Sequence, residues 1–156
     1  MKKKMNKDSQ AILKRIEEKA KEIHDYILKD KKPSLVLPSR SLSNMSYDPK
    51  SGYLKQGNDT KERSLNLNTV KTFAQTLRML AQIQVLITED QSATKREMYY
   101  IAKAWQEAKF DDQPESDTIL SDIEGLLYTT IEHLGIYPEP KGGTIAGNLI
   151  IGDVDK

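Results

Sequence analysis

Apolar residues near the start of the chain recur at the spacing of a helix. Within residues 8–30 they form one stripe, which consists of Leu13, Ile16, Ala20, Ile23 and Ile27. Steps of three and four residues predict an amphipathic helix with a seam like that of a coiled coil. Two heptads do not define a coiled coil. The stripe therefore either packs on its own domain or binds a partner subunit.

The pattern changes over residues 33–66, where short apolar segments alternate with turn residues. Ser34–Leu37 is one such segment. Asp48–Gly52 has the Asp-Pro-x-x-Gly pattern, in which proline and glycine supply the backbone angles of a turn. We therefore predict short strands or a β-hairpin here, with a basic surface.

Residues 68–90 have a wide apolar face. It is formed by Val70, Phe73, Ala74, Leu77, Leu80, Ala81 and Ile83. A face of this width predicts a central helix. Thr94 can then cap a second helix at residues 95–105, because a threonine hydroxyl accepts hydrogen bonds from the first free backbone N–H groups.

A third helix is predicted at residues 117–134. Ser116 can cap this helix and Gly135 can end it. A loop rich in proline and glycine follows at residues 138–143, and residues 144–151 have the apolar character of a closing strand. This order is typical of a winged helix-turn-helix domain, although small helical domains that end in a hairpin share it.

Charge is distributed unevenly, although the net charge is only +1. Residues 1–67 carry 16 Lys and Arg against 9 Asp and Glu, whereas residues 68–156 carry 8 against 14. The basic half could meet a polyanion such as DNA. Without cysteine, disulfides and thiolate zinc sites are excluded. No apolar run approaches the roughly 20 residues of a membrane span, so we expect a cytoplasmic protein, which would be nucleoid-associated if its polyanion is DNA.

The exposed side of the helix predicted at residues 95–105 carries the candidate chemistry. At about 100° per residue, Met98 points to the core, whereas Arg96, Tyr100 and Lys103 form a stripe on the opposite side. Arg96 and Tyr100 are four residues apart and can touch. The helix periodicity thus predicts an exposed tyrosine beside an arginine.

Two interpretations fit this stripe: an ordinary solvated face, or a tyrosine nucleophile that attacks a phosphodiester. A free phenol with a pKa of about 10 is roughly 0.1% ionised at pH 7, so it needs a nearby cation, base or metal. Arg96 could donate to a non-bridging phosphate oxygen, and Lys95 adds positive potential near the helix N-terminus. Tyr99 lies on the flank of the helix and can be partly buried.

Four segments in register resemble a known family. They are Lys95–Tyr100, Phe110–Asp117, Asp122–Leu127 and Lys141–Gly147. Together they resemble the N-terminal part of the A subunit of topoisomerase VI. That subunit is the cleavage subunit of the archaeal type IIB DNA topoisomerase, an isomerase, and it is related to the meiotic double-strand-break protein.

The resemblance implies a fold and a reaction. The fold would be mainly α with a small β component: a winged helix-turn-helix of the catabolite-activator type, preceded by an N-terminal helix and short strands. Tyr100 would be the nucleophile that forms a 5′-phosphotyrosyl link and leaves a 3′-hydroxyl, with Arg96 one turn before it. This double-strand cleavage would serve ATP-dependent strand passage and the relaxation of supercoils.

The third predicted helix is a poor reader of bases. It carries Asp117, Asp122, Glu124 and Glu132 but no Lys or Arg. Side chains that read the major groove are usually basic or amide-bearing. Contacts with DNA phosphates would instead come from Lys95, Lys103, Lys141 and Arg63. Such contacts position DNA without reading its sequence.

The resemblance also implies partners. The family's enzyme is a heterotetramer of two A and two B subunits, in which the B subunit binds ATP and residues 8–30 of this chain would dock on it. We accordingly divide the chain into an N-terminal helical extension at residues 1–32, a basic strand lead-in at 33–67 and a winged-helix DNA-binding and cleavage domain at 68–152.

In the family a Toprim-type domain follows, which holds Mg²⁺ and makes most of the A–A homodimer contact. This chain stops at Lys156, about where that domain should begin. We therefore expect the nucleophile without a metal site, and no activity of the chain alone. The spacing of Asp111, Asp112, Glu115 and Asp117 fits a loop and a helix cap rather than a metal site.

A second hypothesis is a non-catalytic winged-helix DNA-binding or adaptor module that recruits a partner through residues 8–30. A transcription regulator that reads a palindrome is less favoured, because the third helix lacks base-reading side chains.

Overall fold

Helices make up most of the regular structure in the computed structural model, which describes residues 6–39 and 41–138. The α-helices are α1 (Lys7–Leu28), α2 (Val70–Thr88), α3 (Lys95–Ala102) and α4 (Gln113–Leu126). The strands are β1 (Ser34–Pro38), β2 (Met45–Asp48), β3 (Tyr53–Gln56), β4 (Thr60–Ser64), β5 (Ala93–Thr94) and β6 (Ile136–Tyr137). Short 3₁₀ turns span Leu42–Asn44, Gln106–Ala108 and Ile131–Leu134. The predicted class, mainly α with a small β component, is confirmed.

Helix α1 packs on its own chain, against α2 and the turn Ile131–Leu134. It begins after Asn6, whose side chain accepts a hydrogen bond from the Asp8 backbone N–H at 3.0 Å. The predicted stripe is wrong in part: Ile12 is buried with Ile16 and Ile23, whereas Ala20 and Ile27 are exposed. Periodicity finds the apolar side of a helix, but the packing of the neighbouring helix decides which residues on it are covered.

The predicted hairpin is confirmed as β2 and β3, which pair antiparallel from Met45↔Gln56 to Asp48↔Tyr53. Its turn is held by the Asp48 carboxylate, which accepts from the Lys50 backbone N–H at 3.0 Å. Gly52 has φ +73°, a left-handed angle that glycine adopts without strain.

The strands β1 and β4 flank this hairpin and form an antiparallel ribbon of their own. Leu35 and Leu37 of β1 are buried, and β1 contacts α4. The strand region therefore shares a core with the helices that follow it. The domain boundaries at residues 32 and 67 stay a prediction.

Asn44 ties the hairpin to the ribbon. Its amide Nδ2 donates to the Ser39 carbonyl at 2.7 Å, and its Oδ1 accepts from the Asp59 backbone N–H at 3.2 Å. A Cβ atom on Gly57 would lie 2.2 Å from Asn44 Oδ1. A glycine is therefore needed where the chain passes the buried amide.

Helix α2 is central, as its wide apolar face predicts. It contacts α1, α4 and the turns that follow α3 and α4. Its buried residues include Phe73, Met79, Leu80, Ile83 and Leu86. Val70, assigned to the inner face from the sequence, is instead exposed because it lies at the first position of the helix.

Helix α3 begins at the predicted cap. The Thr94 hydroxyl accepts from the Glu97 backbone N–H at 3.1 Å, and the Glu97 carboxylate accepts from the Thr94 backbone N–H at 2.6 Å. This is a capping box. The helix ends at Ala102 rather than residue 105, because the chain turns into a 3₁₀ segment with Gln106 at φ +51°. Trp105, which lies in this turn of the chain, is buried.

The predicted start and end of the third helix are wrong. Asp112 caps α4, accepting from the Glu115 backbone N–H at 2.9 Å, and Pro114 fits the first turn, where no N–H is needed. Ser116 is buried inside the helix instead. Helix α4 ends at Leu126, and Gly135, predicted to end this helix, instead ends the separate turn Ile131–Leu134 with φ +77°.

The end of α4 is completed by α1. Arg15 donates from Nη1 to the carbonyls of Leu127 at 2.6 Å and Tyr128 at 3.3 Å, which satisfies acceptors that a helix end leaves without partners. Beyond this point β6 pairs in parallel with β5, so the chain returns to the start of α3.

The predicted closing strand at residues 144–151 and nearly all of the loop at 138–143 lie outside the described residues. The winged helix-turn-helix therefore stays a prediction. No helix in the described part of the chain is long and apolar enough to cross a membrane.

Candidate functional site

Helix α3 brings Arg96 and Tyr100 into contact on its exposed face. Arg96 donates to the Tyr100 hydroxyl from Nε at 3.4 Å and from Nη2 at 3.3 Å. Its guanidinium carbon also lies 5.6 Å from the centroid of the Tyr100 ring. Tyr100 is 51% exposed. The contact expected from the four-residue spacing is therefore present, with the phenol open to solvent.

A second cation lies beside the same ring. The Lys103 ammonium is 5.8 Å from the centroid of the Tyr100 ring and 5.2 Å from that of Tyr99. Both distances are within the roughly 6 Å at which the face of an aromatic ring attracts a cation. Arg96 and Lys103 thus surround Tyr100 with positive charge.

Tyr99 lies on the flank of α3 and is half-buried, as the helix angles indicate. Its ring centroid is 5.5 Å from that of Tyr100, with 42° between the two planes. Its hydroxyl donates to the backbone carbonyl of Asp111 at 3.4 Å. Tyr99 therefore joins the exposed face of α3 to the loop that precedes α4.

This loop is held by ionic contacts with α2. The Lys71 ammonium is 2.6 Å from the Asp111 carboxylate, and this contact lowers the pKa of Asp111 and raises that of Lys71. The Asp111 backbone N–H donates to Glu115 at 2.8 Å, and the buried Gln75 donates to the other Glu115 oxygen at 2.9 Å. The acidic residues of this segment thus serve loop and cap. Among the described residues no group of three or more His, Asp or Glu could hold a metal ion.

Lys95 lies in the first turn of α3, where its side chain is half-buried. The nearby Glu132 carboxylate has a lowered pKa, chiefly because it accepts from its own backbone N–H and from Thr130, with a smaller contribution from Lys95. Lys95 therefore has an acidic neighbour in the turn Ile131–Leu134.

Arg63 is in a different environment from the cations on α3. Its Nη2 lies 2.5 Å from the buried Asp122 carboxylate and its Nη1 donates to Thr76 at 3.3 Å. Lys61 contacts the other Asp122 oxygen at 2.7 Å. This is a structural ion pair between β4 and α4, and the predicted contact of Arg63 with DNA stays a prediction. Lys141 lies outside the described residues.

The sequence alone did not reveal the role of Asp122. From the sequence, the negative charge of Asp122 only disfavours DNA binding by the third helix. Its partners Lys61 and Arg63 are more than fifty positions away in the chain, so no local pattern indicates the ion pair. The anchoring of Tyr99 to Asp111 was missed for the same reason. No local spacing rule connects a helix residue to a carbonyl 12 residues later.

An exposed phenol beside a permanent cation is an arrangement suited to contact with an anionic ester. Its phenol oxygen is exposed, and a planar cation that is always charged donates to it. The same guanidinium can donate to a phosphate oxygen placed beside the phenol.

Known proteins are similar to this chain across the site. A family described as Type IIB DNA topoisomerase matches residues 71–136, which include α3, α4 and all of α2 except Val70. A protein of Methanocaldococcus jannaschii, named as the A subunit of Type 2 DNA topoisomerase 6, is 40% identical over 137 residues, which is 88% of this chain and 37% of that protein.

Two further relatives have the same name. That of Pyrococcus abyssi is 34% identical over 97% of this chain and 41% of its own length. That of Methanosarcina barkeri is 36% identical over 86% of this chain and 37% of its own length. The chain spans about two fifths of the length of the curated relatives it matches.

Proposed function

Because this chain belongs to the type IIB DNA topoisomerase A-subunit family, we propose that it carries the DNA-cleaving tyrosine of an ATP-dependent type IIB topoisomerase. The observation that carries the proposal is the contact between Arg96 and the exposed Tyr100 hydroxyl, which lies within the matched residues. The whole enzyme would cut both strands of double-stranded DNA, pass another duplex through the break and relax supercoils.

The proposed reaction is a transesterification. The Tyr100 hydroxyl oxygen attacks a backbone phosphorus and forms a P–O bond, while the bond from phosphorus to the 3′-oxygen breaks. The phenol gives up its proton and the leaving 3′-oxygen gains one, so a 5′-phosphotyrosyl link and a 3′-hydroxyl result. Attack by that hydroxyl reverses the reaction and reseals the strand.

Arg96 would stabilise this transfer by changing partners. Its contacts with the phenol oxygen, at 3.3 and 3.4 Å, are longer than a strong hydrogen bond. A phosphate oxygen is charged and accepts a stronger bond from a guanidinium. When a phosphodiester reaches Tyr100, Arg96 can therefore exchange its long contacts with the phenol for stronger bonds to the non-bridging oxygens.

DNA would reach the site through its phosphates. Lys95 is the first residue of the helix that carries Tyr100, and Lys103 directly follows that helix, whereas α4 offers no cation for reading bases. We propose that Lys103, Lys95 and Lys141 position the backbone, which needs no preferred sequence. Arg63 would act indirectly, by holding β4 on α4.

The remaining parts of the enzyme would come from elsewhere in the assembly. We propose that residues outside this chain hold the family's Mg²⁺; among the described residues no group of three or more His, Asp or Glu could hold a metal ion. The ATP would bind to a B subunit that docks on α1, within a heterotetramer built on an A–A homodimer. Ile27 and Leu28, both exposed at the end of α1, are available for that contact.

The test uses a cleavage subunit in which this sequence forms the N-terminal part, assembled with its B partner and supercoiled DNA. Tyr100→Phe should abolish the covalent protein–DNA adduct and relaxation, whereas Tyr128→Phe, at an exposed tyrosine beyond α4, should leave both unchanged. Loss of the adduct in Tyr99→Phe with retention in Tyr100→Phe would contradict the proposal. DNA binding without any adduct would favour the non-catalytic DNA-binding or adaptor module instead.

A further inference from the structure

Tyr99 is the residue beside the candidate nucleophile for which the proposed reaction has no use. It is packed against the hydrophobic core, yet it contacts three groups at the site. Its hydroxyl donates to Asp111, its ring lies against that of Tyr100, and the Lys103 ammonium lies over its ring. An ordinary core tyrosine needs only one polar partner.

We propose that Tyr99 is a positioning residue that holds the Tyr100 ring and the Lys103 ammonium in place for attack. This inference rests on the proposed function. A half-exposed side chain on an eight-residue helix has several rotamers open to it. The Tyr99 ring, 5.5 Å from that of Tyr100, blocks the rotamers that would turn Tyr100 into its place.

Lys103 connects the two rings. On a helical projection it lies between Tyr99 and Tyr100, and its ammonium is within cation–π distance of both. A lysine has a long flexible stem, so one ring alone would hold it loosely. The two rings together keep its charge on the side of Tyr100 where a phosphate would approach.

A chain of contacts connects Tyr99 to the central helix α2. The Asp111 carbonyl that accepts from Tyr99 belongs to a residue fixed by Lys71 and Glu115, and Glu115 is held by the buried Gln75. Both Lys71 and Gln75 lie on α2, the central helix. Tyr99 is therefore held mainly by the packing of its ring against the core, and the hydrogen bond to Asp111 adds one long contact to this support.

A fixed position of the Tyr100 ring should affect the rate of DNA cleavage more than the affinity for DNA. If the phenol oxygen moves by about 1 Å from its place beside the phosphorus, the rate of attack can fall by about 10²-fold. DNA affinity depends mainly on the number of phosphate contacts. Loss of the Tyr99 ring should therefore lower the rate of cleavage and change DNA binding little.

The first test measures single-turnover adduct formation and DNA affinity in the assembled enzyme described above. Tyr99→Leu should slow adduct formation roughly 10- to 100-fold with little change in Kd. Tyr99→Phe keeps the ring and loses only a long hydrogen bond, so its rate should stay within about threefold of the unaltered enzyme. Tyr128→Leu is the matched control. An unchanged rate in Tyr99→Leu, or equal losses of rate and affinity, would overturn the proposal.

The second test does not depend on cleavage or on the other subunits. It follows the ring signals of ¹³C-labelled tyrosine in this chain by NMR, with the Tyr100 signal assigned from its loss in Tyr100→Phe. Tyr99→Leu and Lys103→Met should each move the Tyr100 signal towards that of free tyrosine, whereas Tyr99→Phe should not. A Tyr100 signal that ignores Tyr99→Leu and Lys103→Met refutes the positioning role. An adduct that survives in Tyr100→Phe refutes the proposed function and with it a role of Tyr99 in attack, whereas the NMR signals still report whether Tyr99 holds the Tyr100 ring.

Discussion

Arg63 and Arg96 are the same residue type in two opposite environments. The Arg63 side chain is 15% exposed and is bonded to the buried carboxylate of Asp122, with Lys61 on the other oxygen. Arg96 is on the exposed face of α3 and contacts a neutral phenol. One arginine joins two elements of the fold, and the other lies beside a group that a ligand can reach.

The two arginines differ in the group that each of them contacts. If Arg63 turned to a DNA phosphate, the buried Asp122 carboxylate would lose one of its two cationic partners. Removing a partner from a buried charge lowers the free energy of unfolding by several kcal/mol. The contacts of Arg96 with the Tyr100 hydroxyl are long and involve a neutral oxygen, so their loss costs less. Net charge along the chain therefore does not locate a DNA surface, because the contacts of each cation decide whether it can change partners.

The largest loss of stability is expected when the buried ion pair of Asp122 and Arg63 is broken. Asp122→Ala removes the carboxylate and leaves Arg63 and Lys61 facing each other, so we expect the free energy of unfolding to fall by about 3–5 kcal/mol. Urea unfolding measures this change. Asp25→Ala, at an exposed position on α1, is the control. A loss below about 1 kcal/mol would mean that the junction of β4 and α4 does not depend on this pair.

Arg96→Ala is the matching change on the other side of the comparison. Removal of a donor that acts on transition-state charge typically costs about 10²- to 10³-fold in rate, or about 2.7–4 kcal/mol. We expect single-turnover adduct formation in the assembled enzyme to fall by that factor, with the free energy of unfolding within about 0.5 kcal/mol of the original. If Arg96→Ala lowers the free energy of unfolding but cleaves DNA at the normal rate when folded, Arg96 stabilises the fold, as Arg63 does, and has no role in cleavage.

A smaller effect is expected where α3 begins. Thr94→Ala removes the side chain that caps the helix, and such changes cost about 0.5–2 kcal/mol. Chemical unfolding of the chain measures the loss, with Thr118→Ala on an exposed face of α4 as the control. If both variants have equal stability, the capping box does not contribute to holding the tyrosine helix.

The smallest effect concerns the exposed contact between Lys71 and Asp111. The pKa of Asp111 is lowered in the folded chain by the hydrogen bond from Lys71. Its contribution to stability is therefore present above the unfolded pKa of about 3.9 and is lost as the pH falls through the folded value.

Thermal unfolding between pH 2 and pH 7 tests this dependence. The Tm of the unaltered chain should exceed that of Asp111→Asn at neutral pH, and the two should converge in acid. High salt should narrow the gap, because exposed charges are screened. A gap that persists at the lowest pH would mean that the aspartate acts through something other than its charge.

Features of this protein that depend on neighbours along the chain could be read before the fold was known. The helix periods, the Thr94 cap, the hairpin turn after Asp48 and the Arg96–Tyr100 contact all involve residues at most five positions apart. Helix and turn geometry brings such residues together wherever the segment lies. The fold class and the exposed tyrosine face followed from these local rules.

Features that depend on distant parts of the chain required the folded molecule. The burial of Ile12 instead of Ala20, the pairing of Arg63 with Asp122 and the tie from Tyr99 to Asp111 are set by how helices and strands pack. The cap of α4 was misjudged because Asp112 and Ser116 are both suitable residues, and the packing that buries Ser116 excludes it. Packing joins side chains whose separation in sequence carries no period, so no pattern in the sequence alone announces them.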